Sequence, residues 1–465
     1  MKLVRIQQLI LAAVLSTLVP SSVFAFCGFY VAKADSSLYN KASQVVMVNH
    51  DNKTVISMMN DYRGDLNEFA LVVPVPVVLQ KGQINVGDRS IFERIDAFTA
   101  PRLVEYFDPN PCQMYAPEAA MDLAGAPAAV RSKAVSTERS RSLGVTVEAE
   151  YTVGEYDIVI LSAKESNGLE TWLHESGYNI PQGARQALKP YIKQNLKFFV
   201  AKVNLEEQAR TGLTYLRPLQ FAFDSRRFML PIRLGMINAD GPQEILLYVL
   251  TKNGRVETTN YRTVKLPTGM DIPVFVKEEF KDFYLSMFDQ QVRKENMRTV
   301  FTEYFWNMGW CDPCSADPLS QDELRKLGVF WLDDQPDIIT GSPRRRFAPP
   351  PRQSGPVPVM VTRLHLRYTA DTFPEDLLLQ ETQDQANYQA RYVLRHPWKG
   401  SINECRQAEN YFDELAKRQE REAETLASLT GWDISVIRDK QQSSFQIPVK
   451  DENGGQGDGW WKNLW

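Results

Sequence analysis

Histidine is scarce in this chain, four in 465 residues, and cysteine nearly as scarce at five. The phosphate loop GxxxxGK(S/T), the dinucleotide fingerprint GxGxxG, the nucleophile elbow GxSxG and the zinc-protease pattern HExxH are all missing, which removes the enzyme classes they serve. His174, His365 and His396 stand alone in sequence, so a hydrolase site would have to be assembled by the fold. Basic excess is lacking too: 53 Lys and Arg face 57 Asp and Glu, a net charge of −4. Without a positive field the chain does not condense on phosphates, which argues against nucleic acid as the main partner. Beyond the N-terminus no apolar run reaches the roughly 18 to 20 residues of a membrane span, so no transmembrane segment is expected in the mature chain. The Asp61-Tyr62-Arg63-Gly64-Asp65-Leu66-Asn67-Glu68 cluster misses calcium-loop spacing and reads as a turn after a strand.

What is present begins with Lys2 and Arg5 ahead of the apolar run Leu9 to Val19, followed by Val23-Phe24-Ala25. That order is a signal peptide over residues 1–25, with a mature chain from Phe26 and a periplasmic or secreted location. Phe26 does not suit the position before an acylated cysteine, so Cys27 reads as an ordinary thiol. The remaining length, about 440 residues, exceeds what one core supports, and two or three domains are expected.

The pattern is α+β, with a β-rich N-terminal domain over 26–270. Gln44 to Asn49 and Thr54 to Asn60 flank a polar turn as a hairpin. Glu244 to Thr251 and Arg255 to Val264 flank Lys252-Asn253-Gly254 as another. Strands are expected over Asp157 to Ala163, Leu196 to Leu205 and Phe228 to Ile237, and helices over Leu169 to Ser176 and Gln182 to Gln194. Pro74 and Pro76 place their run at a sheet edge or in a crossover, and Ala124 to Ser142 reads as a long loop. From Phe280 to Met308 apolar residues recur at three- and four-residue spacing, predicting one long helix or two abutting ones within a helical segment over 271–335. Ser320-Gln321-Asp322-Glu323 announces a capped helix stopped by Gly328. Residues 336–358, rich in proline and arginine, read as an exposed linker. Strands over Val359 to Tyr368 and Tyr388 to Leu394, then a helix capped at Ser401 and stopped at Gly431, make up 359–433. A flexible tail over 434–465 ends in three tryptophans.

Chemistry, if any, rests on the disulfide candidates Cys27, Cys112, Cys311, Cys314 and Cys405. Trp310-Cys311-Asp312-Pro313-Cys314 resembles the thioredoxin-type motif, so Cys311 and Cys314 are the catalytic residues of a thiol-disulfide oxidoreductase reading. Against it, Asp312 sets a negative charge between the two sulfurs, and a preceding helix would turn its negative end towards Cys311. A structural clip, or a metal knuckle with Cys405 or His396, are the other readings. On loop entropy a bond across the four-residue motif is worth about 2 kcal/mol and one joining Cys27 to Cys112 about 4.6 kcal/mol. The Cys27 to Cys112 pair is therefore the expected disulfide.

Cys27-Gly28-Phe29-Tyr30-Val31-Ala32-Lys33-Ala34-Asp35, Val73-Pro74-Val75-Pro76, Tyr156-Asp157-Ile158-Val159-Ile160-Leu161-Ser162-Ala163, the Cys311 motif and Phe373-Pro374-Glu375-Asp376-Leu377 together resemble the exported bacterial family catalogued as domain of unknown function 2330. The resemblance runs from Phe26 to about Trp432 and implies a bacterial envelope or secreted protein with a signal sequence. It carries over no catalytic residue. The expectation is a non-catalytic binding or structural component, without cofactor or metal, whose partner is left open between an envelope protein and a surface polymer. Thiol-disulfide exchange and a fold-assembled hydrolase are the alternatives.

Overall fold

The computed structural model describes residues 29–32, 39–63, 69–113, 145–175, 183–213, 215–237, 241–310, 312, 316–332 and 357–445. Cys27, Cys311, Cys314, the signal segment, the loop from Ala124 to Ser142, nearly all of the 336–358 segment and the chain beyond 445 lie outside them. Two units are formed. One is built from Met1–Thr99, Ser132–Val264 and Met297–Tyr388, the other from Ala100–Arg131, Lys265–Asn296 and Gln389–Trp465.

The fold class is α+β, but the units interleave along the chain where consecutive domains were expected. Strands Thr299–Asn307 and Met360–Tyr368, on either side of the proline-arginine segment, pair antiparallel in one sheet. That segment therefore joins two neighbouring strands of the first unit and does not separate domains.

The first unit contains two large sheets. Its central sheet runs Arg262–Lys265, Thr299–Asn307, Met360–Tyr368, Gln243–Thr251, Tyr39–His50, Lys53–Arg63, Leu219–Asp224 and Ile84–Val86. The Gln243–Thr251 and Tyr39–His50 pair is parallel. A second, antiparallel sheet runs Phe29–Ala32, Phe69–Val75, Lys197–Val203, Tyr156–Ala163 and Val145–Val153. Val45, Met47, Leu247 and Val249 of the central sheet share one core with Leu71, Val73, Ile158 and Phe199 of the other. Val46, Val48, Tyr248 and Leu250 point the opposite way, into a core with Ile91, Phe92, Ile95 and Phe98 of helix Arg89–Thr99. Helices Ser166–Glu175 and Ala184–Lys193 cover the outer face of the second sheet through Leu169, Leu173, Leu188 and Tyr191. The layers are thus helix, sheet, sheet, helix. A strand buried on both faces needs an unbroken apolar run, which Val45-Val46-Met47-Val48 supplies.

This double burial explains the main error of the sequence reading. The helix expected through Met308 stops at Lys294, and Thr299–Asn307 is a strand. Asn296 and Met297 both have positive φ, 52° and 55°, which ends the helix. Beyond them the strand is buried from Thr299 to Phe305, and its apolar residues Val300, Phe301, Tyr304 and Phe305, with the buried polar Thr302 and Glu303 between them, mimic helical spacing. The Asn-Gly hairpin is also absent: Val256–Thr258 pairs with Leu377–Glu381 and not with Gln243–Thr251. The N–H groups of Asn253 and Gly254 donate instead to Glu381 Oε1 at 2.6 and 3.1 Å. A Cβ on Gly254 would lie 2.2 Å from the Thr382 carbonyl oxygen, so only glycine fits. In place of a strand from Phe228 to Ile237, a two-residue strand Met229–Leu230 leads into a 3-10 turn, Arg233–Met236. Pro74 lies in a strand between two others, and among the described residues Phe29–Ala32 pairs with Phe69 to Val72, short of Pro74. The first hairpin is present, turning through Asp51 and Asn52 at φ 48° and 63°. So is the Ser320 capping box on helix Gln321–Lys326.

In the second unit, Met270–Asp271, Arg391–His396 and Arg102–Phe107 form a parallel three-stranded sheet. Its helices are Phe280–Lys294, Arg406–Thr430 and Ile434–Ser444. The last lies where a flexible tail was expected, N-capped by Asp433, which accepts from the Ser435 N–H at 2.7 Å. The preceding helix begins at Arg406 with Cys405 as its N-cap residue, four positions after the expected Ser401. Asp108, just past one strand, accepts from Tyr411 (2.7 Å) and from both terminal nitrogens of Arg418 (2.7 and 3.1 Å) on this helix.

Cys112 is bonded to Cys405, which corrects the expected Cys27 to Cys112 pair. The longer loop follows the same entropy logic: a sequence separation of 293 is worth about 5.7 kcal/mol. A non-reducing peptide map of oxidised protein is expected to recover a Cys112 to Cys405 cross-linked peptide, and a Cys27 to Cys112 peptide would refute it. In addition, Gly328 has φ +93° and a Cβ there would meet Val55 at 2.7 Å, whereas Gly212 at φ +68° faces open space. Gly328→Ala should lower stability in urea unfolding by about 2 to 3 kcal/mol and Gly212→Ala by about 1 kcal/mol.

Candidate functional site

The helix-covered face of the central sheet carries a chain of buried charges. Along strand Met360–Tyr368, Arg363, His365 and Arg367 alternate with Leu364 and Leu366, so the three polar residues share one face. On the neighbouring strand Glu244 lies opposite Arg367, and Tyr248 opposite Arg363. On the other side the register shifts between Thr302 and Tyr304, making Glu303 the extra residue of a β-bulge. Glu303 thereby stands, together with Tyr304, on the face of Arg363 and His365.

Glu303 is fully buried and divides its two oxygens. Oε2 accepts from Arg363 Nε at 2.6 Å, and Oε1 lies 2.9 Å from His365 Nδ1. Arg363 then donates through Nη1 to Asp96 Oδ1 at 2.6 Å and to Thr99 Oγ1 at 3.3 Å, both on helix Arg89–Thr99. Tyr248 donates to the same Asp96 oxygen at 2.7 Å, and its ring lies 5.4 Å from the Arg363 guanidinium. At the far end His365 Nε2 stands 3.6 Å from Glu244 Oε2, and Glu244 is paired to Arg367. Three carboxylates against two guanidinium groups leave one negative charge, which a protonated His365 cancels.

The titration behaviour follows. Burial opposes a charged His365, but Glu303 and Glu244 outweigh it and hold the imidazole above its ordinary 6.5. Burial also works against the Glu244 carboxylate, and His365 with Arg367 still lower it below its ordinary 4.5. Burial foremost pushes the Tyr248 hydroxyl well above its usual range, so it remains a donor to Asp96.

Both ring nitrogens of His365 face carboxylates, and the residue is 5% exposed. Neither nitrogen is left to take a proton from a substrate hydroxyl or water, so the arrangement is an ionic clamp and not a base-nucleophile pair. Among the described residues no group of three or more His, Cys, Asp or Glu is placed to hold a metal ion. No helix among them is long and apolar enough to cross a membrane.

The residues singled out from sequence fall elsewhere. Cys112 and Cys405 are bonded to each other, and with them the metal knuckle loses Cys405. His174 is exposed in the last turn of its helix. His396 contacts Glu105 Oε2 at 2.7 Å and stacks on Phe107 at 4.5 Å. Of the Cys311 motif, Trp310 is half exposed and Asp312 accepts from Tyr304 at 3.0 Å. The motif follows a strand and not a helix, so the helix-dipole objection to a reactive Cys311 falls while the Asp312 charge remains. Sequence reasoning missed Glu303, Arg363, Glu244, Arg367 and Asp96. The available signal was Arg363-Leu364-His365-Leu366-Arg367, strand alternation with charge on one side, normally a solvated face.

His365, raised in the folded state, contributes stability that is fully present below pH 6.5 and is lost as pH rises through the folded value. Glu244, depressed, contributes stability present above pH 4.5 and lost as pH falls through its folded value. The stability of wild type minus that of His365→Gln should therefore shrink on the alkaline side of pH 6.5. The subtraction removes the separate contribution of Glu422, whose carboxyl burial pushes to about 7. A difference independent of pH would show that folding leaves the titration of His365 unshifted. Glu303→Gln, which strands Arg363 and His365, should cost about 3 kcal/mol or more in denaturant unfolding.

No curated protein and no solved structure matches this chain. One family model does, over residues 21–380, well beyond half the sequence and including the strands of the two large sheets named above. The chain therefore belongs to DUF2330, the family described as an uncharacterized protein conserved in bacteria.

Proposed function

We propose that this is an exported bacterial protein with a non-catalytic binding or structural role in the cell envelope. The saturation of the ionic clamp carries the reading: Glu303, Arg363, His365, Glu244 and Asp96 are each committed to another member or to the covering helix. Charges arranged this way hold a helix on a sheet. A fold-assembled hydrolase is correspondingly less supported, because His365 has no nitrogen turned towards a nucleophile. The signal-peptide pattern of residues 1–25 and the oxidised Cys112 to Cys405 pair support an oxidising location outside the cytoplasm.

Thiol-disulfide exchange is the second reading, favoured by one observation: the Cys311 motif follows a strand, as it does in thioredoxin-type proteins. Against it, among the described residues the next helix starts at Gln321, ten positions after Cys311, too far for its positive end to stabilise a thiolate there. Asp312 adds negative charge beside both sulfurs.

Fractionation of expressing bacteria is expected to place the protein in the envelope or medium with an N-terminus at Phe26, and cytoplasmic protein retaining Met1 would overturn the export reading. Purified mature protein should leave insulin reduction at the uncatalysed rate. Turnover that disappears in Cys311→Ser would instead establish the oxidoreductase.

A further inference from the structure

The second unit contains a cavity of about 310 Å³ at the 3-10 turn Val274–Lys277, the start of helix Phe280–Lys294 and helix Ile434–Ser444. Phe275, Trp432, Glu279, Asp282, Asp433 and Lys440 line it. Lys440 Nζ lies 5.5 Å from the Phe275 ring centroid and 6.0 Å from that of Trp432. It also donates to both oxygens of Glu279, at 2.6 and 2.7 Å. An ammonium held by two aromatic rings and a carboxylate is the arrangement with which proteins bind organic cations. Here the chain's own lysine occupies it.

Three features make the site receptive to an external cation. First, its walls are fixed: Trp432 Nε1 donates to Ser286 Oγ at 2.9 Å, and Asp433 is held by the Ser435 N–H and hydroxyl. Second, the charge balance is unequal. Once Lys440 has neutralised Glu279, Asp282 and Asp433 still leave the cavity negative, and the hydrogen bonds from Ser435 hold the Asp433 carboxyl below its usual range. Third, Lys440 is replaceable. Its side chain is 43% exposed and ends in a flexible stem, so its ammonium can move into water without disturbing the core. The cavity volume is free space beside Lys440 and lies at the small end of ligand sites.

We propose that this cavity binds a small organic cation, an alkylammonium group, which takes over the two aromatic rings and Glu279 while the Lys440 ammonium moves to solvent. Lys440 is then an internal competitor that sets the affinity. The site lies apart from the ionic clamp, and its binding does not depend on the export or non-catalytic readings, whose tests read the N-terminus and Cys311.

Calorimetric titration of the full mature chain with choline chloride tests the proposal, with 3,3-dimethylbutan-1-ol as a neutral probe of the same shape. Choline should bind on the order of tenfold more tightly than the alcohol, and Lys440→Ala should tighten choline by a similar factor, because cation-aromatic attraction and the loss of the competitor both act on the charge. Trp432→Ala should abolish binding. Glu279→Gln, which keeps the volume, should weaken it on the order of tenfold in protein with unchanged helicity. Equal affinity for the neutral alcohol, or no choline binding by Lys440→Ala below about 10 mM, would overturn the proposal.

Discussion

A sheet covered on both faces has no water with which to satisfy polar groups, and this constraint governs the first unit. Its central strands place Leu364 and Leu366 in one core and Arg363 and His365 against the opposite one. Such charges are tolerable only if every one is met by another. At the bulge Glu303 and Tyr304 stand together on the Arg363 face, so the strand presents a carboxylate there and still packs an aromatic ring against Phe98 of the covering helix. One additional residue therefore supplies a carboxylate to two cations on the adjacent strand. Through Arg363 and Asp96 it also fastens the covering helix, so sheet and helix share a polar register in addition to an apolar one.

The segments that carry the family resemblance fall mostly into this framework. Tyr156 to Ala163 is an interior strand of the second sheet, and Val73 to Val75 completes the strand beside Lys197–Val203. Asp376 of the Phe373 segment accepts from Tyr191 at 2.6 Å and from the N–H groups of Ile232 and Arg233 at 3.0 and 3.3 Å. It thereby caps the buried 3-10 turn Arg233–Met236, and burial raises its carboxyl above the ordinary value. These segments serve architecture, which accords with a family recognised by its scaffold.

Local signals were legible where local chemistry decides. The turn at Asp51 and Asn52, the Ser320 box and the Gly431 stop each depend on a few adjacent residues. Period was misleading where burial is complete, because a buried strand that holds the polar Thr302 and Glu303 between Val300-Phe301 and Tyr304-Phe305 satisfies a helical template as well as an extended one. The ionic clamp was illegible for a different reason. Its members come from positions 96, 244, 303, 363, 365 and 367, and only strand pairing and the packing of helix Arg89–Thr99 on the sheet bring them together. The Cys112 to Cys405 bond is invisible in the same way, since an entropy argument ranks loops without knowing which ends meet.

The interleaving of the two units has a consequence for how the chain is made. The backbone passes from one unit to the other five times, and each unit draws on three separate stretches. Neither can be completed from a contiguous portion of the chain emerging from a ribosome or translocation pore. Strand Arg102–Phe107 has to wait for Arg391–His396, its parallel neighbour nearly three hundred residues later, before its ladder can form. Cys112 likewise emerges long before Cys405 and long after Cys27, so the first thiol it meets is not its final partner. Oxidation in order of synthesis would give the wrong pair. Assembly is therefore expected to be late, cooperative and dependent on thiol rearrangement, as is typical of folds dominated by distant contacts.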